Sequence, residues 1–141
     1  MSAVVLTTIY NKLIAVQTAG TVYELVAGKI YQLEAPQSTA MPLLVYAMSN
    51  EDTQTFMVSA TSSMHTCDVA FTIYFPPDSS VVDALEVESA LFLLLHKASM
   101  TPSSVSYSTI ASICMSRGVP TINTDSIVID TMYRIFATKQ T

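Results

Sequence analysis

Glycine occurs only three times in the 141 residues, and that scarcity excludes whole classes of chemistry. Neither a GxGxxG turn nor a P-loop can be written, so the backbone cradles that hold nucleotide phosphates are missing. Tryptophan is absent and cysteine occurs twice. Cys67 and Cys114 have no CxxC spacing and read as small buried apolar side chains; a disulfide requires that their strands be neighbours. Charge is sparse as well, at 12% of residues against about 25% in a typical soluble domain. The six basic residues, Lys12, Lys29, Lys97, Arg117, Arg134 and Lys139, form no run and no alternation with aromatics. With a net charge of −5, the chain lacks the cationic surface that replaces counterions on a phosphate backbone. Apolar runs are no longer than that from Ala90 to Leu95, far short of the roughly 20 residues of a bilayer crossing. No basic segment precedes the first apolar residues, so the expectation is synthesis in the cytoplasm and no membrane partner.

What remains is 50% hydrophobic with a mean hydropathy of +0.44. Serine and threonine clusters at 59–66, 79–80, 101–109 and 121–126 cover part of the exterior with hydroxyls. Neighbouring protein is expected to cover the rest, because large exposed apolar patches are rare on monomers.

Periodicity orders the chain. Val5, Ile9, Leu13 and Val16 predict an amphipathic helix over 3–17 with Ser2 as N-cap. A short turn over 21–26 ends at Gly28, and strands follow at 29–33 and 43–48. Polar residues 49–63 form an excursion whose middle, 55–59, is expected to extend as a β-arm. Cys67, Val69, Phe71, Ile73 and Phe75 alternate with polar or small residues, which is the clearest strand signal. Ser80 and Asp83 stand in a capping-box-like relation before a helix whose stripe is Ala84, Val87, Leu91, Leu94 and Ala98, with His96 and Lys97 where the helix dipole favours cations. Strands at 107–116 and 127–136 close the chain as a hairpin. The expected fold class is α+β, a mixed and mostly antiparallel sheet with two main helices packed on it, in one domain over 1–141.

No catalytic constellation emerges. His65 and Cys67 share a strand face, but no second ligand pair completes a zinc site. Glu86 and Glu88, two apart, lie on different faces of their helix, and Asp78 and Asp83 read as capping residues. No catalytic residue, cofactor or metal is therefore expected.

The run Val22-Tyr23-Glu24-Leu25-Val26-Ala27-Gly28-Lys29-Ile30-Tyr31, followed by Ala35-Pro36-Gln37 and Pro42-Leu43-Leu44-Val45-Tyr46, resembles the tail terminator, or tail completion, proteins of long-tailed phages and prophages. Ser38 departs from the glycine that often follows the APQ of that family. The resemblance implies a ring of six copies that caps the tail tube, stops its polymerisation and joins it to the head-side connector or stopper. Its location would be the tail or neck of the virion, with DNA passing through the lumen without specific binding. Catalysis is not expected. Residues Glu51, Asp52, Thr53, Gln54 and Thr55 are the expected contact with the tube or lumen. Two alternatives stand beside this reading. One is a head–tail connector, stopper or tube subunit, and the other a small cytoplasmic ligand-binding module.

Overall fold

The computed structural model describes residues 2–36, 39–51, 56–59 and 62–140. Its centre is a pair of 14-residue strands, β4 (Ser62–Phe75) and β8 (Ile127–Gln140). They run antiparallel in unbroken register from Ser62 opposite Gln140 to Phe75 opposite Ile127. Alternation makes this pairing specific. Cys67, Val69, Phe71, Ile73 and Phe75 on β4, with Ile127, Ile129, Tyr133, Ile135 and Ala137 on β8, are all buried on one face. The valine, isoleucine and phenylalanine side chains among them each gain about 1.5–3 kcal/mol on leaving water, which outweighs the differences in strand propensity among neighbouring residues.

The other strands join this pair in the order β1-β2-β4-β8-β6-β5. Here β1 is Ile30–Gln32, β2 is Leu43–Glu51, β5 is Ala98–Met100 and β6 is Tyr107–Ser116. Only β1 runs parallel to its neighbour β2, and all other described pairs are antiparallel. Two short strands extend the edges: β3 (Phe56–Ser59) pairs with β4 beyond the end of β2, and β7 (Thr121–Ile122) pairs with the start of β8. The α+β class, with a mixed and mostly antiparallel sheet, is as expected, and residues 56–59 do extend as an arm.

Both longer helices pack on the same face of the sheet and share its core. Helix α3 (Val81–Leu95) buries Ala84, Val87, Glu88, Leu91 and Leu95. The Ser80 hydroxyl accepts from the Val82 amide at 3.1 Å and caps its first turn, where Asp83 adds a favourable negative charge. At the other end the Ser112 hydroxyl of β6 donates to the Leu95 carbonyl. Helix α1 (Ser2–Ile14) buries Val5, Leu6, Ile9 and Leu13. It includes Ser2, so Ser2 is not its N-cap, and it ends before Val16, which is exposed. The Gln17 side chain donates to the Ile14 carbonyl at 3.2 Å and helps to close that end. Thr8 fastens α1 to the loop after β5, donating to the Val4 carbonyl at 2.7 Å and accepting from the Ser103 amide at 3.1 Å.

The short helix α2 (Val22–Leu25) has Thr21 as N-cap, and the Glu24 carboxylate accepts from the Gly20 amide at 3.2 Å. It ends in paired bonds, Gly28 amide to Tyr23 carbonyl at 2.8 Å and Ala27 amide to Glu24 carbonyl at 3.0 Å, with both residues at positive φ. The turn that closes at Gly28 is therefore where the sequence places it. Gln37 and Ser38, part of the run that carries the family resemblance, lie outside the described residues.

Three aromatic rings bridge the central strands under the helices. Tyr46 of β2 stacks on Phe71 of β4 at 5.8 Å, and Phe71 meets Tyr133 of β8 edge-on at 5.4 Å. Burial, and secondarily Tyr10, pushes the Tyr46 hydroxyl up to about 12, and burial raises Tyr133 as well. Above pH 10 the unfolded tyrosines lose protons that the folded ones retain, so stability is complete below pH 10 and falls as pH rises. The slope expected is about 1.4 kcal/mol per pH unit for each such tyrosine, until the folded pKa is passed. Urea midpoints from pH 9 to 12, with tyrosinate absorbance alongside, check this; a flat profile would mean that these rings are not buried.

The segment between β6 and β7 lies tightly over β8. A Cβ on Gly118 would stand 1.8 Å from the Asp130 carbonyl oxygen, so any side chain forces the segment away. Gly118→Ala is expected to cost about 1–3 kcal/mol, read as a lower urea midpoint at unchanged slope. An unaltered midpoint would show that the segment is not held there.

Candidate interaction surfaces

The register that buries one face of the sheet presents the alternate residues on the other, and no described helix covers them. Val45 and Ala47 of β2, Ala70 and Tyr74 of β4, Ile113 of β6, and Val128, Met132 and Phe136 of β8 stand there half-exposed. Near the β1 edge this face dips into a depression of about 310 Å³ lined by Leu33, Met41, Leu43, Val45 and Tyr74.

Two of its charges neutralise each other: Arg134 donates to both carboxylate oxygens of its cross-strand partner Asp68, at 2.9 and 3.3 Å. Asp130 keeps its charge and accepts from the Thr72 hydroxyl at 2.9 Å. Neighbouring strands among β2, β4, β8 and β6 lie about 4.8 Å apart and are each matched over eight or more residues, giving a staggered face with a projected area on the order of 500 Å². Corrugation raises the accessible area further, towards the roughly 800 Å² per partner of a standard protein interface.

A second polar assembly fastens α3 to β6. Glu88, with 4% of its side chain exposed, pairs with Arg117 through two bonds of 2.7 and 2.6 Å. The Glu88 carboxylate strengthens the hold of the guanidinium on its proton, raising the Arg117 pKa. Arg117 lies 4.0 Å over the Phe92 ring, and Phe92 stacks on His96 at 4.5 Å. His96 in turn accepts the Cys114 amide at Nδ1, at 3.1 Å. In this geometry His96 turns back to the edge of β6 and does not point along the axis of the helix it follows. Tyr133 is buried nearby, with its hydroxyl close to Cys114.

The residues singled out for chemistry are scattered. His65 and Cys67 share the core side of β4, but His65 approaches the Ser63 hydroxyl at 3.3 Å, and no group of three or more metal-binding side chains gathers among the described residues. Cys67 and Cys114 are both free; β8 lies between their strands, so they are not the neighbours that a disulfide requires. Of the expected contact residues, Glu51 ends β2 opposite Cys67. Asp52, Thr53, Gln54 and Thr55 lie outside the described residues. Sequence reasoning missed the Glu88–Arg117 pair, although position 88 lies four after Ala84 and three before Leu91, on the buried stripe itself.

Two solved structures share this fold along nearly the whole chain. A chain from the virion of a native gene transfer agent (GTA) particle matches with a TM-score of 0.66, covering 99% of this chain and 96% of its own at 17% identity. Another solved chain matches with a TM-score of 0.62, covering 97% and 95% at 11% identity. At these identities the likeness establishes the fold alone. No protein-family model matches the sequence, and no curated protein does either.

Removing Arg117 leaves a buried carboxylate uncompensated. The cost for a wholly buried pair is about 3–5 kcal/mol. Because the Arg117 side chain is 45% exposed, water recovers part of this, and Arg117→Ala is expected to cost about 2 kcal/mol. Glu88→Leu in the same chain should restore most of that loss by extending the apolar stripe. Equilibrium unfolding of both single variants and the double variant measures the coupling; an Arg117→Ala protein of full stability would show that the pair holds nothing.

Proposed function

We propose that the chain is a structural component of a phage-like particle, and within it the tail terminator: a ring of six copies that caps the tail tube, halts its growth and meets the head-side connector. The observation that carries this reading is the uncovered apolar face of the sheet. A face of that size and so little net charge is stable when it is buried against other protein. Three further points support it. The fold runs end to end along a chain of a gene transfer agent virion. The run from Val22 to Tyr46 resembles the terminator family. A sparsely charged, acidic exterior with no basic patch suits a ring through which DNA slides without being held. The ring requires no catalysis and no cofactor.

Residues Glu51 to Thr55 are proposed as the contact with the tube or lumen, on the observation that Glu51 is the last residue of β2 and the other four follow it in sequence. A connector, stopper or tube subunit is the alternative within the same particle. Polymer form separates them, because a terminator closes and a tube protein stacks.

Native mass by light scattering, over a range of concentration and salt and with or without tail-tube protein, tests the proposal. The expected result is a discrete hexamer, or a monomer that becomes one on tube ends. A variant lacking residues 51–57 should then remain folded but fail to bind the tube. A monomer indifferent to tube protein would overturn the terminator reading, and open-ended polymers would favour the tube subunit.

A further inference from the structure

The helix layer has an unpartnered apolar surface of its own, on the side away from the sheet. Val82, Leu85 and Leu93 face outward from α3, Leu93 with 82% of its surface exposed. Beside them lie two adjoining depressions of about 260 and 440 Å³ that share Gly20, Ala90 and Leu93. Lys12 stands on the α1 wall, whereas the exposed charges of α3 are the acids Asp83 and Glu86, neither of which has an ion-pair partner among the described residues.

A mate for this surface has to bring an aliphatic tip and a cation. The chain exposes aliphatic tips at both ends of the sheet. At one end, around β7, Val119 and Ile122 are exposed, but Asp125 and Asp130 accompany them and would face the acids of α3. At the other end, in the loop between β5 and β6, Val105 is 99% exposed. Tyr107, two residues on, is opposite Lys139 of β8, an exposed cation without an ion-pair partner among the described residues. Like charges brought together across an interface disfavour the first pairing, and opposite charges favour the second.

We infer that Val105 of one copy seats in the α3 depressions of the next, with Lys139 against Glu86, and that this is the contact between subunits. The inference rests on the ring reading and names its surfaces. One patch lies on the outer side of the helix layer and the other at the end of the sheet, so the two look in markedly different directions. A heterologous contact between such patches turns each copy relative to the last and bends the chain of subunits towards closure, whereas patches on opposite faces would stack them straight. The contact also leaves the uncovered sheet face free for a different protein.

A charge swap tests it. Glu86→Lys and Lys139→Glu should each raise the concentration at which the oligomer dissociates by about tenfold or more, and the double variant should restore it, with tube protein present if assembly requires it. Far-ultraviolet circular dichroism and urea midpoints confirm that each variant is folded. Leu93→Cys with Val105→Cys should form a disulfide between copies on mild oxidation. An oligomer that is indifferent to both reversals and forms no such disulfide would remove this contact and leave the ring reading standing. A wild-type chain that stays monomeric under every condition would overturn both.

Discussion

The unbroken pairing of β4 with β8 is the constraint on which the rest of this molecule depends. The strands are far apart in sequence, yet their 14 residues match one to one from Ser62–Gln140 to Phe75–Ile127. Because side chains alternate between faces, a slip of one residue by β4 would expose Phe71 and bury Asp68, and a slip by β8 would expose Tyr133 and bury Arg134. The hydrophobic pattern forbids that slip. Once the register is set, β2 and β6 add on either side, α1 and α3 cover one face, and the opposite face is left to whatever lies beyond the chain.

Charge inside this framework acts as a fastener. The two ion pairs among the described residues both join distant segments: Glu88 of α3 to Arg117 after β6, and Asp68 of β4 to Arg134 of β8. Through Phe92 and His96 the first of these continues to the free edge of β6 at Cys114. His96 thus covers an edge amide that another strand could otherwise use. The second pair sits in the middle of the uncovered sheet face and is neutral as a unit. The Arg134 side chain is 42% exposed, so a partner that covers it must offset the desolvation with polar groups of its own, and the pair specifies position rather than adding affinity.

The strand at Cys67–Phe75, the helix that begins after Ser80 and the strand at 107–116 were legible because each is long enough for its period to repeat. The strands β5 and β7 were not, since three residues at Ala98–Met100 and two at Thr121–Ile122 carry no period. Ala98 itself continues the helical spacing of Leu91 and Leu94, but Lys97 at φ 55° turns the chain out of the helix before it. The predicted extension of α1 to residue 17 failed for a related reason: Val16 keeps the spacing but has no core beneath it. Glu88 illustrates a different limit. Its burial depends on Arg117, 29 residues later, and no local pattern announces a partner at that separation.

The candidate surfaces follow from the same logic in reverse. Apolar residues that the register buries have an account within the chain; Val45, Met132, Phe136, Leu93 and Val105 do not, since each is wholly or partly exposed and none completes the core stripe of its own element. A chain this poor in charge does not place aliphatic side chains outward at little cost, because 12% charged residues leave few solvating groups to surround them. The fold shared with a virion chain at 17% identity fixes the framework that presents these side chains without fixing the side chains themselves. The contacts must therefore be argued from the residues of this chain. Those residues divide into a broad, nearly neutral sheet face and a narrow helix groove edged by acids, two surfaces different enough in shape and charge to receive different partners.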